Sequence, residues 1–93
     1  MKVRYRERAL ADIESIFQYL NERSPSGARN VLAALADAVD SIAANPMAAT
    51  ASSAPDIRVK ILGRYRYKIF YCIMDDDTIE IIHVRHAARR PWP

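Results

Sequence analysis

Ile57-Arg58-Val59-Lys60-Ile61-Leu62-Gly63-Arg64-Tyr65-Arg66-Tyr67-Lys68-Ile69-Phe70-Tyr71-Cys72-Ile73-Met74 is the stretch that decides the fold. Two strand-like runs lie in it. Ile57 to Leu62 alternates apolar residues with Arg58 and Lys60, and Arg66 to Met74 is rich in aromatic and β-branched residues. Such residues pack well on a pleated surface, and alternation at period two sends them to opposite faces. Asp75-Asp76-Asp77 follows as a turn, because Asp bonds its own backbone and disfavours strands. Thr78 to His86 reads as the last strand, and the tail Ala87 to Pro93 is basic and proline-bounded.

Working back from this hairpin, the periodicity changes. Ala9, Leu10, Ile13, Phe17 and Leu20 fall at spacings of three and four, the period of an amphipathic helix that stops near Arg23. Ser24-Pro25-Ser26-Gly27 is a turn that also starts a helix, since a Ser cap satisfies free N–H groups and Pro suits the first turn. The second helix runs from about Ala28 to Ala44, with Val31, Leu32, Leu35, Val39 and Ile42 as its apolar stripe. Asn45-Pro46 ends it. Met47 to Asp56 has no period and reads as a loop. Lys2 to Tyr5 is a short first strand. The expected architecture is α+β, a helical hairpin packed on an antiparallel sheet in the order β-α-α-β-β-β. Residues 1–93 form one domain, as the length suits.

Composition excludes several classes. Just over half of the chain, 51%, is apolar, enough for a core without metal or disulfides. The single cysteine, Cys72, allows no internal disulfide and fits a reducing cytosol, so a cytoplasmic protein is expected. The first residues carry no apolar run of a secretory signal, and no stretch reaches the roughly 20 apolar residues of a membrane helix. Two glycines argue against a glycine-rich nucleotide cradle.

Charge is unevenly spread. Residues 1–56 hold six Lys/Arg and seven Asp/Glu, while residues 57–93 hold eight and four. The second half is therefore the one expected to meet an anion. If Val59 and Ile61 face the helices, Arg58 and Lys60 face away. If Tyr67, Ile69, Tyr71 and Ile73 do so, Arg66 and Lys68 face away as well. The last strand is ambiguous, since Ile79, Ile81, Ile82 and Val84 supply apolar residues to both faces; one register places His83 and Arg85 beside Lys60 and Lys68. The expectation is one basic sheet face, with Arg58, Lys60, Arg66, Lys68, His83, Arg85, Arg89 and Arg90 binding phosphate or an acidic protein segment. The alternative is a solvated face whose charges deter aggregation.

His83 and His86 point to opposite faces of a strand, so a shared metal is not expected. Either suits proton transfer near neutral pH, or a plain hydrogen-bonded role at a strand end. Tyr67 and Tyr71 share the apolar alternation, Tyr65 is expected to be exposed, and Trp92 is placed to anchor the tail. No metal-ligand spacing, nucleophile triad or cofactor motif is present.

Taken together, Gly63 to Tyr71, Asp75 to Ile81 and His83-Val84-Arg85-His86-Ala87-Ala88-Arg89-Arg90 resemble the C-terminal half of ParE/RelE-type toxins, also called plasmid stabilisation proteins. Ala11-Asp12-Ile13, Ile16 to Leu20, Pro25, Ala28 and Asn45-Pro46 are similar to that superfamily's helical hairpin. The resemblance covers nearly the whole chain. It implies the toxin of a type II toxin–antitoxin pair, held inactive by a cognate antitoxin, with operator DNA reached only through the antitoxin. ParE-like members poison DNA gyrase by binding. RelE-like members cleave mRNA on the ribosome, and by that likeness Arg58, Lys60, Lys68, His86 and Arg89 would hold phosphate and move protons. Lys68 stands where that pattern has arginine, which weakens bidentate phosphate binding. The His-x-x-Arg-Arg ending and the balanced charge of the hairpin favour the ParE branch, with a RelE-like endoribonuclease or a degenerate toxin that only binds its antitoxin as the alternatives. No cofactor and no membrane are expected.

Overall fold

A computed structural model of the chain describes residues 1–52, 54, 56–74 and 77–86. Strand β1 (Lys2–Tyr5) leads directly into α1 (Glu7–Asn21). Helix α2 (Pro25–Ala44) follows a short turn. Its start is written in the sequence. The Ser24 side chain accepts a hydrogen bond from the Gly27 N–H, and Pro25 occupies the first turn, where its missing donor costs nothing. Asn45 ends the helix in a non-helical conformation. The chain then forms β2 (Thr50–Ala51), β3 (Arg58–Leu62), β4 (Tyr67–Ile73) and β5 (Thr78–His86).

The five strands form one sheet in the order β1-β5-β4-β3-β2. The hairpin-linked strands β3, β4 and β5 are antiparallel, as is β2 with β3. One pairing refines the expected antiparallel sheet: β1 lies parallel to β5, with Lys2 opposite Thr78 and Tyr5 opposite Ile81. Parallel neighbours need a long crossover, and the whole helical hairpin and β3–β4 ribbon supply it. The segment read as a loop, 47–56, contains the two-residue β2.

The helices cover one face only. The core on that face joins Ile16, Val31, Leu35, Val39 and Ile42 to Ile69, Tyr71, Ile79, Ile81 and Val84. Two residues of the expected helix stripes lie outside it, Leu10, which is 54% exposed, and Phe17, whose place Ile16 takes. Ile13, Leu20 and Leu32 pack against the core only partly buried. Tyr65, expected to be exposed, packs against the core.

Register then fixes which side chains share a face, because directly paired residues project the same way. On the helix side, Leu62, Tyr67 and His86 form one row. Lys60, Ile69 and Val84 form the next, followed by Arg58, Tyr71 and Ile81. The opposite face carries Ile61, Lys68 and Arg85, then Val59, Phe70 and His83. Between Phe70 and Tyr71 the register slips, leaving Ile82 as an extra residue in β5. That bulge resets the alternation of β5, which is why Ile81 and Val84 both reach the core.

Candidate functional site

The expected single basic face is not what forms. Arg58 and Lys60 lie on the helix side, and Lys68 and Arg85 lie on the other. The cause is Leu62, 8% exposed, which enters the core opposite Tyr67. Alternation then places Lys60 and Arg58 on the same side as Leu62, and turns Val59 and Ile61 outward. The helices do not shield β3 fully, so both basic residues are half-buried at the flank of α2. There the Arg58 guanidinium donates to the Ala49 carbonyl at 2.9 Å, and the Tyr71 hydroxyl donates to the Pro46 carbonyl at 2.5 Å. Burial raises the Tyr71 phenol above its ordinary value, and Arg58 opposes that shift. Arg58 thus fastens the loop after α2 to the sheet.

Arg66 sits in the β3–β4 turn with φ 60°, a left-handed conformation, its N–H bonded to the Leu62 carbonyl. It belongs to neither face. His83 and His86 project to opposite sides, as expected. His86 meets the Tyr67 ring edge-on at 5.0 Å between centroids, and His83 stacks on Phe70 at 5.8 Å. Arg89, Arg90 and Trp92, and the turn residues Asp75 and Asp76, lie outside the described residues. Among the described residues, no three His, Cys, Asp or Glu side chains gather as a metal site, and no helix is long and apolar enough to cross a membrane.

Two acids that the sequence did not single out organise the β5 edge. Strand β1 ends at Tyr5, and its last link is the Arg6 N–H to the Ile81 carbonyl. Beyond it β5 has lost its neighbour. Asp12 of α1 takes over: its carboxylate accepts from the Val84 N–H at 3.0 Å and from His83 Nδ1, while Arg8 pairs with it at 3.5 Å. Burial pushes the His83 imidazole below its ordinary pKa, although Asp12 pulls the other way. His83, 4% exposed, is therefore a structural histidine tied to α1. Lower on the strand, Glu80 accepts from Arg6 at 2.6 Å and Arg4 at 3.1 Å. The Arg6 hydrogen bond, with Arg4, holds its carboxyl below the usual range against the effect of burial. No spacing rule marks either contact. Only the seating of β1 and α1 against the last strand creates them.

Below α1 the helices leave an apolar notch of about 180 Å³, lined by Tyr5, Leu10, Ile13, Leu32, Val39 and Ile81 among others. It explains why Leu10 stays out of the core and Leu32 is only partly buried. Small-molecule sites run at roughly 300–1,000 Å³. This one has the scale of a partner's side chain.

The sequence model of the "ParE toxin of type II toxin-antitoxin system, parDE" family matches residues 3–91. The chain belongs to the ParE toxin family. It is the toxin component of a type II toxin–antitoxin system within the ParE/RelE superfamily. Similar toxins include the putative toxin Y4kP of Sinorhizobium fredii, 32% identical over 99% of this chain and 93% of the relative. Toxin RelE2 of Caulobacter vibrioides is 30% identical over 88% and 90%. Among solved structures, the chromosomal ParDE system of P. aeruginosa superposes with a TM-score of 0.81 at 20% identity, over 92% of this toxin and 95% of that chain. The isolated E. coli RelE toxin gives 0.66 at 20%, over 96% and 86%. These likenesses share the fold of two helices on a mixed sheet.

Proposed function

We propose that this toxin inhibits DNA gyrase by binding it, without chemistry of its own, and that a cognate antitoxin neutralises it in the cytoplasm. One observation carries the choice of binding over RNA cleavage. The cations that a RelE-like ribonuclease would bring together are divided by the sheet: Arg58 and Lys60 on the helix side, Lys68 on the other. A phosphate held by Lys68 is screened from Lys60 by the backbone. Arg58 is already committed to Ala49, and His86, on the side of Lys60 and away from Lys68, is packed edge-on against the Tyr67 ring. The match to the ParE family supports the same reading.

The antitoxin's place is the apolar notch under α1. An apolar side chain of the antitoxin filling it would bury Leu10 and Tyr5, both exposed in the lone chain. Operator DNA is then reached only through the antitoxin.

The test uses the purified toxin in two assays, supercoiling by gyrase and message cleavage on translating ribosomes. Loss of supercoiling with intact message is the expected result. Cleaved message with normal supercoiling would overturn it. Lys60→Ala is expected to leave toxicity intact, whereas a ribonuclease using Lys60 would lose it.

A further inference from the structure

The top row of the helix-free face holds a cost that folding does not explain. Lys68 of β4 and Arg85 of β5 are directly opposite one another. Like charges in that position repel and destabilise a sheet. Both side chains are half-buried, so water screens them incompletely. Neither forms an ion pair among the described residues. The acid of this face nearest in register, Glu80, is occupied by Arg4 and Arg6. Basic residues often protect exposed sheet edges, and Arg85 lies on the stretch of β5 beyond the end of β1. Lys68 is flanked by β3 and β5, so edge protection gives no reason for placing a second cation there.

Beside the two cations lies Ile61, the third member of the row. It is 56% exposed, in a strand whose next residue is in the core. Val59 and Phe70 continue the apolar strip in the row below, both only partly buried. An unneutralised cation pair next to open apolar surface suits a protein segment that brings a carboxylate and an apolar side chain together. Nucleic acid would use the cations and leave Ile61 wet.

We propose that the Ile61–Lys68–Arg85 row is the surface with which the toxin docks its target, taking an acidic segment of the enzyme with an apolar contact beside it. The proposal rests on the reading of the toxin as a gyrase-binding inhibitor. It places the target on the sheet face opposite the notch assigned to the antitoxin. The carboxylate sits between Lys68 and Arg85 and relieves their repulsion, and Ile61 packs against the neighbouring apolar group.

The experiment compares wild type with Lys68→Glu and with the milder Lys68→Gln, in the full chain. Lys68→Glu turns the repelling pair into an attracting one across β4 and β5. Its thermal midpoint is expected to equal or exceed that of wild type. Its inhibition of supercoiling, measured as the half-inhibitory concentration, is expected to weaken about tenfold or more, as when one partner of a buried charge contact is removed. Capture of the cognate antitoxin is expected to be unchanged. A purely structural residue would not raise stability while lowering inhibition. If Lys68→Glu fails to fold, Lys68→Gln must show the same split. Full inhibition by a folded variant overturns the docking face while the gyrase reading stands. A wild type that leaves supercoiling untouched overturns both. Loss of antitoxin capture in a folded variant assigns the row to the antitoxin and overturns the proposal. So does a gel shift of duplex DNA by wild type that Lys68→Glu abolishes.

Discussion

On the helix side of the β3–β4 ribbon, Arg58 donates to the Ala49 carbonyl and Lys60 flanks Ile69. On the other side, Lys68 faces Arg85 with no ion pair to either among the described residues, beside an exposed Ile61. The residue types are the same and the strands are the same. What differs is what each side chain can reach. The first face spends a cation on holding a loop; the second leaves two unspent. Residue type and local spacing do not distinguish these cases, and partner geometry does.

The contrast can be broken by stability measurements. Ile69→Ala opens a cavity under both helices and should cost roughly 2–5 kcal/mol in denaturant unfolding. A smaller loss would mean that the helix-side face is not the core. Next comes the β5 edge. Asp12→Ala strands the Val84 N–H and the buried His83 ring, and should cost roughly 1–3 kcal/mol. Faster hydrogen exchange at Val84 is expected with it; unchanged exchange would show that β1, not Asp12, closes this edge.

The same edge makes stability depend on pH. His83 has a folded pKa depressed below its unfolded value of about 6.5. Its contribution is complete above that value and is lost as pH falls towards the folded one, because the unfolded chain binds the proton more readily. Glu80, also depressed when folded, adds stability above its unfolded value of about 4.3 that is lost at lower pH. Unfolding midpoints should therefore fall in two stages between neutral and acid pH. Glu80→Gln should flatten the lower stage and leave the upper.

Smaller effects sharpen the comparison of faces. Arg58→Ala removes one hydrogen bond to a loop and should cost about 0.5–1.5 kcal/mol. Ile61→Ser should change stability by less than about 0.5 kcal/mol, as exposed positions do. A cost as large as that of Ile69→Ala would show Ile61 to be core, and the outward strip would not exist.

Most of the fold was legible because its signals are local. The helical periods, the Ser24-Pro25 start, the Asn45-Pro46 stop and the limits of β1 and β5 all follow from neighbouring residues. The faces of β3 are the reverse of those its apolar residues suggest, although the chain itself carries the information. Four residues, 63–66, separate Leu62 from Tyr67, which pairs these two and sends both to one face. With Tyr67 inward, Lys60 and Arg58 had to follow Leu62 inward. The apolar look of Val59 and Ile61 outweighed that count. The bulge at Ile82 has no turn residue to announce it, and the parallel seating of β1 depends on pairing across most of the chain. The contacts of Asp12 and Glu80 are not legible for the same reason, since their partners lie more than 70 positions away.

Strand β5 is bonded to both β1 and β4, and its inward side chains floor the helical hairpin. It also comes after every element it joins. During synthesis, both helices and the β3–β4 ribbon are made before the strand that unites them. Contacts of such long sequence separation form late. A chain that stops short of Thr78 has neither the floor of the helical hairpin nor the neighbour that seats β1, so the body closes only when this strand is in place.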